Sequence, residues 1–113
     1  MSDTTNTRKE SLLQYIKEDP QAPFNYYALA LEYLKEDKED DALKYFNILL
    51  EQHPDYLPTY YHAAALYTEY NMLEEARHTY EKGVDLAYKQ QDFHARRELQ
   101  NAFQNFLFEH DLE

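Results

Sequence analysis

Residues 26–33 read Tyr-Tyr-Ala-Leu-Ala-Leu-Glu-Tyr, and residues 60–67 read Tyr-Tyr-His-Ala-Ala-Ala-Leu-Tyr. The offset between them is 34 residues, and the agreement continues outward on both sides. Pro20 falls on Pro54, Tyr26-Tyr27 on Tyr60-Tyr61, Ala30 on Ala64, Tyr33 on Tyr67, Ala42 on Ala76, Phe46 on Tyr80 and Leu50 on Val84. A fixed period of this size marks a repeat architecture, in which neighbouring units bury one another's apolar faces.

Each copy reads as two helices. The first spans about 23–36, with Tyr26, Leu29, Ala30, Tyr33 and Leu34 at amphipathic three-and-four spacing. Glu36-Asp37-Lys38 interrupts it. The second spans about 39–52, with Ala42, Tyr45, Phe46 and Leu49 on one face and acidic Glu39, Asp40 and Asp41 at the positive end of its dipole. His53-Pro54 ends it, because the residue before proline avoids helical angles. The second copy repeats the plan over about 57–70 and 73–89, with Pro58 in a first turn and Asn71 as the break. Residues 8–18 look like the trailing half of a repeat, and residues 92–109 form a last amphipathic helix carrying Ala95, Leu99, Ala102, Phe103 and Phe106. Residues 1–7 are polar and expected to be disordered. The expectation is one all-α domain over 8–110 with about six helices.

Composition agrees. At 113 residues the chain suits one domain, and it has no cysteine, one glycine and four prolines. That excludes disulfides and thiolate sites and argues against a phosphate-cradling glycine loop or a turn-rich β fold. Lysines and arginines number 11 against 22 acids, a net charge of −11, so nucleic acid and anionic membrane are poor partners. No apolar run is long enough for a transmembrane helix, and the polar, acidic start does not read as a signal peptide. A cytoplasmic protein is expected. Twelve tyrosines and six phenylalanines without tryptophan supply large buried areas with polar tips.

The pattern resembles the tetratricopeptide repeat, a helix–turn–helix unit of 34 residues. Repeat one (23–56) supplies Tyr26, Leu29-Ala30, Tyr33, Ala42, Phe46 and Pro54 of its signature. Repeat two (57–90) supplies Tyr60, Ala63-Ala64, Tyr67, Ala76, Tyr80 and Gly83. Departures are Asp37 and Asn71 where glycine is usual, Leu49 where a small residue is usual, and Tyr88 in place of a closing proline. Arg96, Arg97 and Glu98 fall where a third repeat would be apolar, so 92–109 reads as a capping helix.

The resemblance implies a right-handed α–α superhelix whose first helices line a concave groove for a segment of a partner protein. It places Phe24, Tyr27, Leu31, Leu34 and Lys35 on that face in repeat one, and Pro58, Tyr61, Ala65, Thr68 and Glu69 in repeat two. A competing expectation has Phe24 and Tyr27 packed under the N-terminal helix and Tyr61 under the cap. Tyr27 and Leu31 stand where the subset that clamps chaperone tails has lysine and asparagine, so that ligand is not expected. Arg96-Arg97 with Lys89 is the cationic spot of the C-terminal third, and reads first as a solvated face.

No catalytic constellation is apparent, so a non-enzymatic adaptor without cofactor is expected. His53, His62, His78, His94 and His110 lack metal-ligand spacing, and no nucleophile is paired with a base. The alternative is a self-associating protein. Leu99, Phe103, Phe106 and Phe108 exceed what one capping contact needs, and such a patch would suit a homodimer.

Overall fold

A computed structural model describes residues 4–112, with side chains from Arg8 onward. Among them are six helices and no strands: α1 (Thr4–Glu18), α2 (Pro23–Lys35), α3 (Glu39–Gln52), α4 (Thr59–Glu69), α5 (Leu73–Lys89) and α6 (Phe93–Glu109). The expectation of a disordered start falls partly on residues 1–3, outside the described residues. Residues 4–7 instead form the first turn of α1, which begins four residues before the expected start at 8. The polar sequence gave no apolar signal there, but the next turn is tied down, because Arg8 and Lys9 reach α2.

Helix ends follow two local rules. α3 stops at His53, held at φ −135° by the proline after it. α2, α4, α5 and α6 stop on a residue in the left-handed region: Asp37, Asn71, Gln91 and Asp111, at φ between 55° and 59°. Each is followed by the same pair of backbone bonds, such as Lys38 N–H to Tyr33 O at 2.9 Å and Asp37 N–H to Leu34 O at 3.1 Å. The pair satisfies carbonyls that the helix end leaves without partners. At the other end of α6, Asp92 caps the helix by accepting from the Ala95 N–H at 3.1 Å.

The chain divides into two compact units, Met1–Tyr56 and Leu57–Glu113. In the first, α2 packs on both α1 and α3. Leu12 of α1 is buried with Ala28 and Leu29 of α2, and Ile16, Tyr33 and Tyr45 pack around them. Tyr33 and Tyr45 stack at 5.8 Å with planes 9° apart. The seam between α1 and α2 is also ionic. Glu32, its side chain 6 % exposed, takes Arg8 at 3.3 Å and Lys35 at 3.0 Å. Glu36 takes Lys9 at 2.9 Å and Lys38 at 3.3 Å, and these ammonium groups hold its carboxyl below the usual carboxylate range.

In the second unit, α5 packs on α4 and α6, and α4 also touches α6. The three helices close around Gly83. A Cβ added there would lie 2.8 Å from the Tyr60 Cβ and 3.3 Å from both Leu99 methyls. Only a residue without a side chain admits α4 and α6 that closely to α5. The remaining core sets Ala63, Ala64, Ala76 and Ala87 against Tyr60, Tyr80 and Phe106, with Leu57, Leu66 and Leu107 beside them.

Candidate functional site

The two faces of α2 differ in accessibility. Tyr26, Leu29 and Ala30 are buried, while Phe24, Tyr27, Leu31 and Leu34 form a second apolar stripe that is not. Phe24 is 57 % exposed and so does not pack under α1. Tyr27 is half-buried, its ring 5.7 Å from Tyr56 in an edge contact and 6.4 Å from Phe46. Burial pushes the Tyr27 and Tyr56 phenols above their usual range, so both stay neutral and keep their O–H. Lys35 ends the stripe, exposed, with its ammonium on Glu32. Beside the stripe a cleft of about 290 Å3 is lined by Pro23, Gln52, His53, Pro54, Asp55 and Tyr56.

On α4 the corresponding stripe is shorter in side chain. Tyr61, the counterpart of Tyr27, is 47 % exposed and meets the His62 ring edge-on at 5.8 Å. Ala65 and Thr68 are half-buried, and the Thr68 hydroxyl donates to Ala64 O at 2.8 Å. Glu69 is exposed at the end, and Pro58 is exposed ahead of the helix. Burial pulls the His62 pKa down, so this face carries no histidine charge at neutral pH.

No protein-family model and no curated protein matches this chain. Solved structures do. A solution NMR structure of a tetratricopeptide repeat domain protein from Salinibacter ruber is 40 % identical, with a TM-score of 0.72 over 78 % of this chain and 89 % of that one. A crystal structure of a tetratricopeptide repeat domain protein from the same organism is 39 % identical, with a TM-score of 0.73 over 75 % of this chain and 96 % of that one. This chain belongs to the tetratricopeptide repeat family.

The signature residues of this tetratricopeptide repeat chain sit where the family's pattern needs small or filling groups. Ala30, Ala42, Phe46, Ala64 and Ala76 are fully or almost fully buried, as are Tyr26, Tyr60 and Tyr80. The α6 residues correct one expectation. Leu99 and Phe106 are buried, and Phe103 is half-buried, stacked on Tyr80 at 5.6 Å. Phe106 completes the cluster at 5.5 Å from Tyr80. Leu99 packs at Gly83 while Phe103 and Phe106 pack on Tyr80, so these three side chains are used within the unit. Of the four residues expected at a self-association surface, Phe108 alone is exposed, at 76 %.

Other candidates separate as follows. His94 pairs with Glu98 at 2.8 Å on the surface, and no group of three potential ligands is assembled among the described residues. No helix there is long and apolar enough to cross a membrane. Lys89 pairs with Asp85 and Arg97 is exposed, whereas Arg96 lies over the Tyr88 ring. The buried Glu32 had no signal of its own beyond its i,i+3 spacing to Lys35.

Proposed function

We propose that this tetratricopeptide repeat domain is a non-enzymatic adaptor whose exposed apolar stripes, on α2 in one unit and on α4 in the other, each bind a peptide segment of a partner protein. The observation that carries the reading is the exposure of Phe24 and Tyr61, large rings on the first helix of each repeat. Both helices already bury one apolar face, so a second accessible one has no folding role to explain it. The partner would lay aliphatic or aromatic side chains on these rings and on Leu31 and Leu34, while neutral tyrosine hydroxyls take its backbone groups. In the family such faces line a concave groove, and a cytoplasmic location belongs to the same reading.

Peptide display on the purified chain tests it, counter-screened on Phe24→Ala/Tyr61→Ala. Both positions are exposed enough for the variant to fold. Losing the ring beneath it is expected to weaken a selected peptide by roughly 1–2 kcal/mol, about 5- to 30-fold, whichever stripe it uses. Equal binding to the variant, or no enriched peptide, refutes the proposal. Self-association is a second reading and now rests on Phe108. Light scattering on dilution, with Phe108→Asp as control, decides it: one mass at all concentrations removes it.

A further inference from the structure

Arg96 projects from the first turn of α6 onto α5. Its guanidinium lies 4.9 Å from the centroid of the Tyr88 ring, a cation–π distance. With Glu81, Val84, Asp85 and Tyr88 it lines a cleft of about 250 Å3. Those four residues follow i, i+3, i+4, i+7 spacing, one continuous face of α5. The Nε of Arg96 is buried and has no acceptor. Among the described residues Arg96 makes no ion pair, in a chain with twice as many acids as bases. Asp85, on the same wall, gives its charge to Lys89 at 3.0 Å instead. The Tyr88 ring fixes the guanidinium but carries no charge, so the cation is left without a carboxylate to balance it.

We infer that this α5–α6 cleft is a binding site for a carboxylate carried on an apolar stem, a glutamate side chain or the chain terminus of a partner protein. The fixed fork of Arg96 suits a planar carboxylate. Tyr88 holds the fork in place and, at 58 % exposure, offers ring surface to the stem together with Val84. Glu81 and Asp85 line the same cleft, so the single guanidinium can balance one negative charge on a ligand and not two. The site uses none of the residues of the α2 and α4 stripes.

The test is a 1H–15N NMR titration of the whole chain with capped peptides, following the Arg96 Nε–H signal and the amides of residues 81–88. The probes are acetyl-Leu-Glu-Leu amide, its glutamine and phosphoserine counterparts, and acetyl-Leu-Leu with a free carboxylate. Saturable shifts from the glutamate peptide, the free terminus or both, but not from the glutamine peptide, are expected, and which probe acts names the source. Arg96→Gln should weaken binding about tenfold or more, whereas Arg97→Gln should change it less than about twofold. Tyr88→Leu, at an exposed position, should also weaken it while the fold persists. Equal shifts with glutamine, tighter binding of phosphoserine, equal losses in the two arginine variants, or no shift at Arg96 with any probe each overturns the assignment.

Discussion

Gly83→Ala is the sharpest probe of the second unit, because one methyl group sets two opposing effects against each other. Replacing glycine by alanine within a helix gains about 1 kcal/mol from propensity and the reduced entropy of the unfolded chain. Here the new Cβ would stand 2.8 Å from the Tyr60 Cβ and 3.3 Å from the Leu99 methyls. Leu99 tips can turn away. The Tyr60 Cβ is fixed to the α4 backbone, so relief requires α4 and α5 to separate. Overpacking of this kind costs roughly 1–3 kcal/mol, and a rigid neighbour puts it at the upper end. The balance is a loss of about 1–2 kcal/mol, or about 4–8 °C of melting temperature per kcal/mol for a chain of this size. Urea and thermal unfolding followed by circular dichroism give the value, with Lys82→Ala as the exposed neighbour that should change little. A melting temperature equal to or above that of the parent would refute the close approach at Gly83.

Other substitutions test different links. Phe46→Ala should cost about 3–5 kcal/mol by opening a cavity in a fully buried site, whereas Phe24→Ala should stay within about 0.5 kcal/mol in unfolding assays. Glu32→Gln removes the charge that Arg8 and Lys35 share, so hydrogen exchange along α1 should accelerate and stability fall by about 1–2 kcal/mol. The depressed pKa of His62 means that the unfolded chain binds the proton more readily. Stability should therefore be full above about pH 6.5 and decline as pH falls below it, and His62→Phe should flatten that decline in pH-dependent urea melts. Glu36 acts with the same sign at lower pH. Its contribution is present above its ordinary value of 4.5 and lost as pH falls through the lowered one, a dependence that Glu36→Gln should remove.

The sequence spoke clearly where one residue type decides local geometry. The offset of 34 fixed the helix pairs, Pro54 the end of α3, and Asn71 a left-handed stop. It spoke less clearly where the outcome depends on how helices rotate against each other. Leu99, Phe103 and Phe106 look like surplus apolar surface until Gly83 and Tyr80 are read as contacts for a third helix. The signal was present, since Gly83 is the lone glycine and stands where repeat one has Leu49. Tyr27 was placed on the binding stripe, yet Phe46 and Tyr56 hold part of its ring. Nothing in the order of residues foretold that Glu32 would be buried between cations 24 positions upstream and three downstream.

The four left-handed helix stops carry a consequence for how such a chain drifts. Asp37, Asn71, Gln91 and Asp111 each hold a backbone conformation that disfavours a side chain by about 1 kcal/mol or more. Glycine would relieve that strain in the folded state, but it would also enlarge the unfolded ensemble, at about 0.4–1 kcal/mol. The two effects nearly cancel. Selection on stability therefore has little grip on whether these positions hold glycine or a polar residue, and a lineage can lose its turn glycines one at a time at a small cost for each.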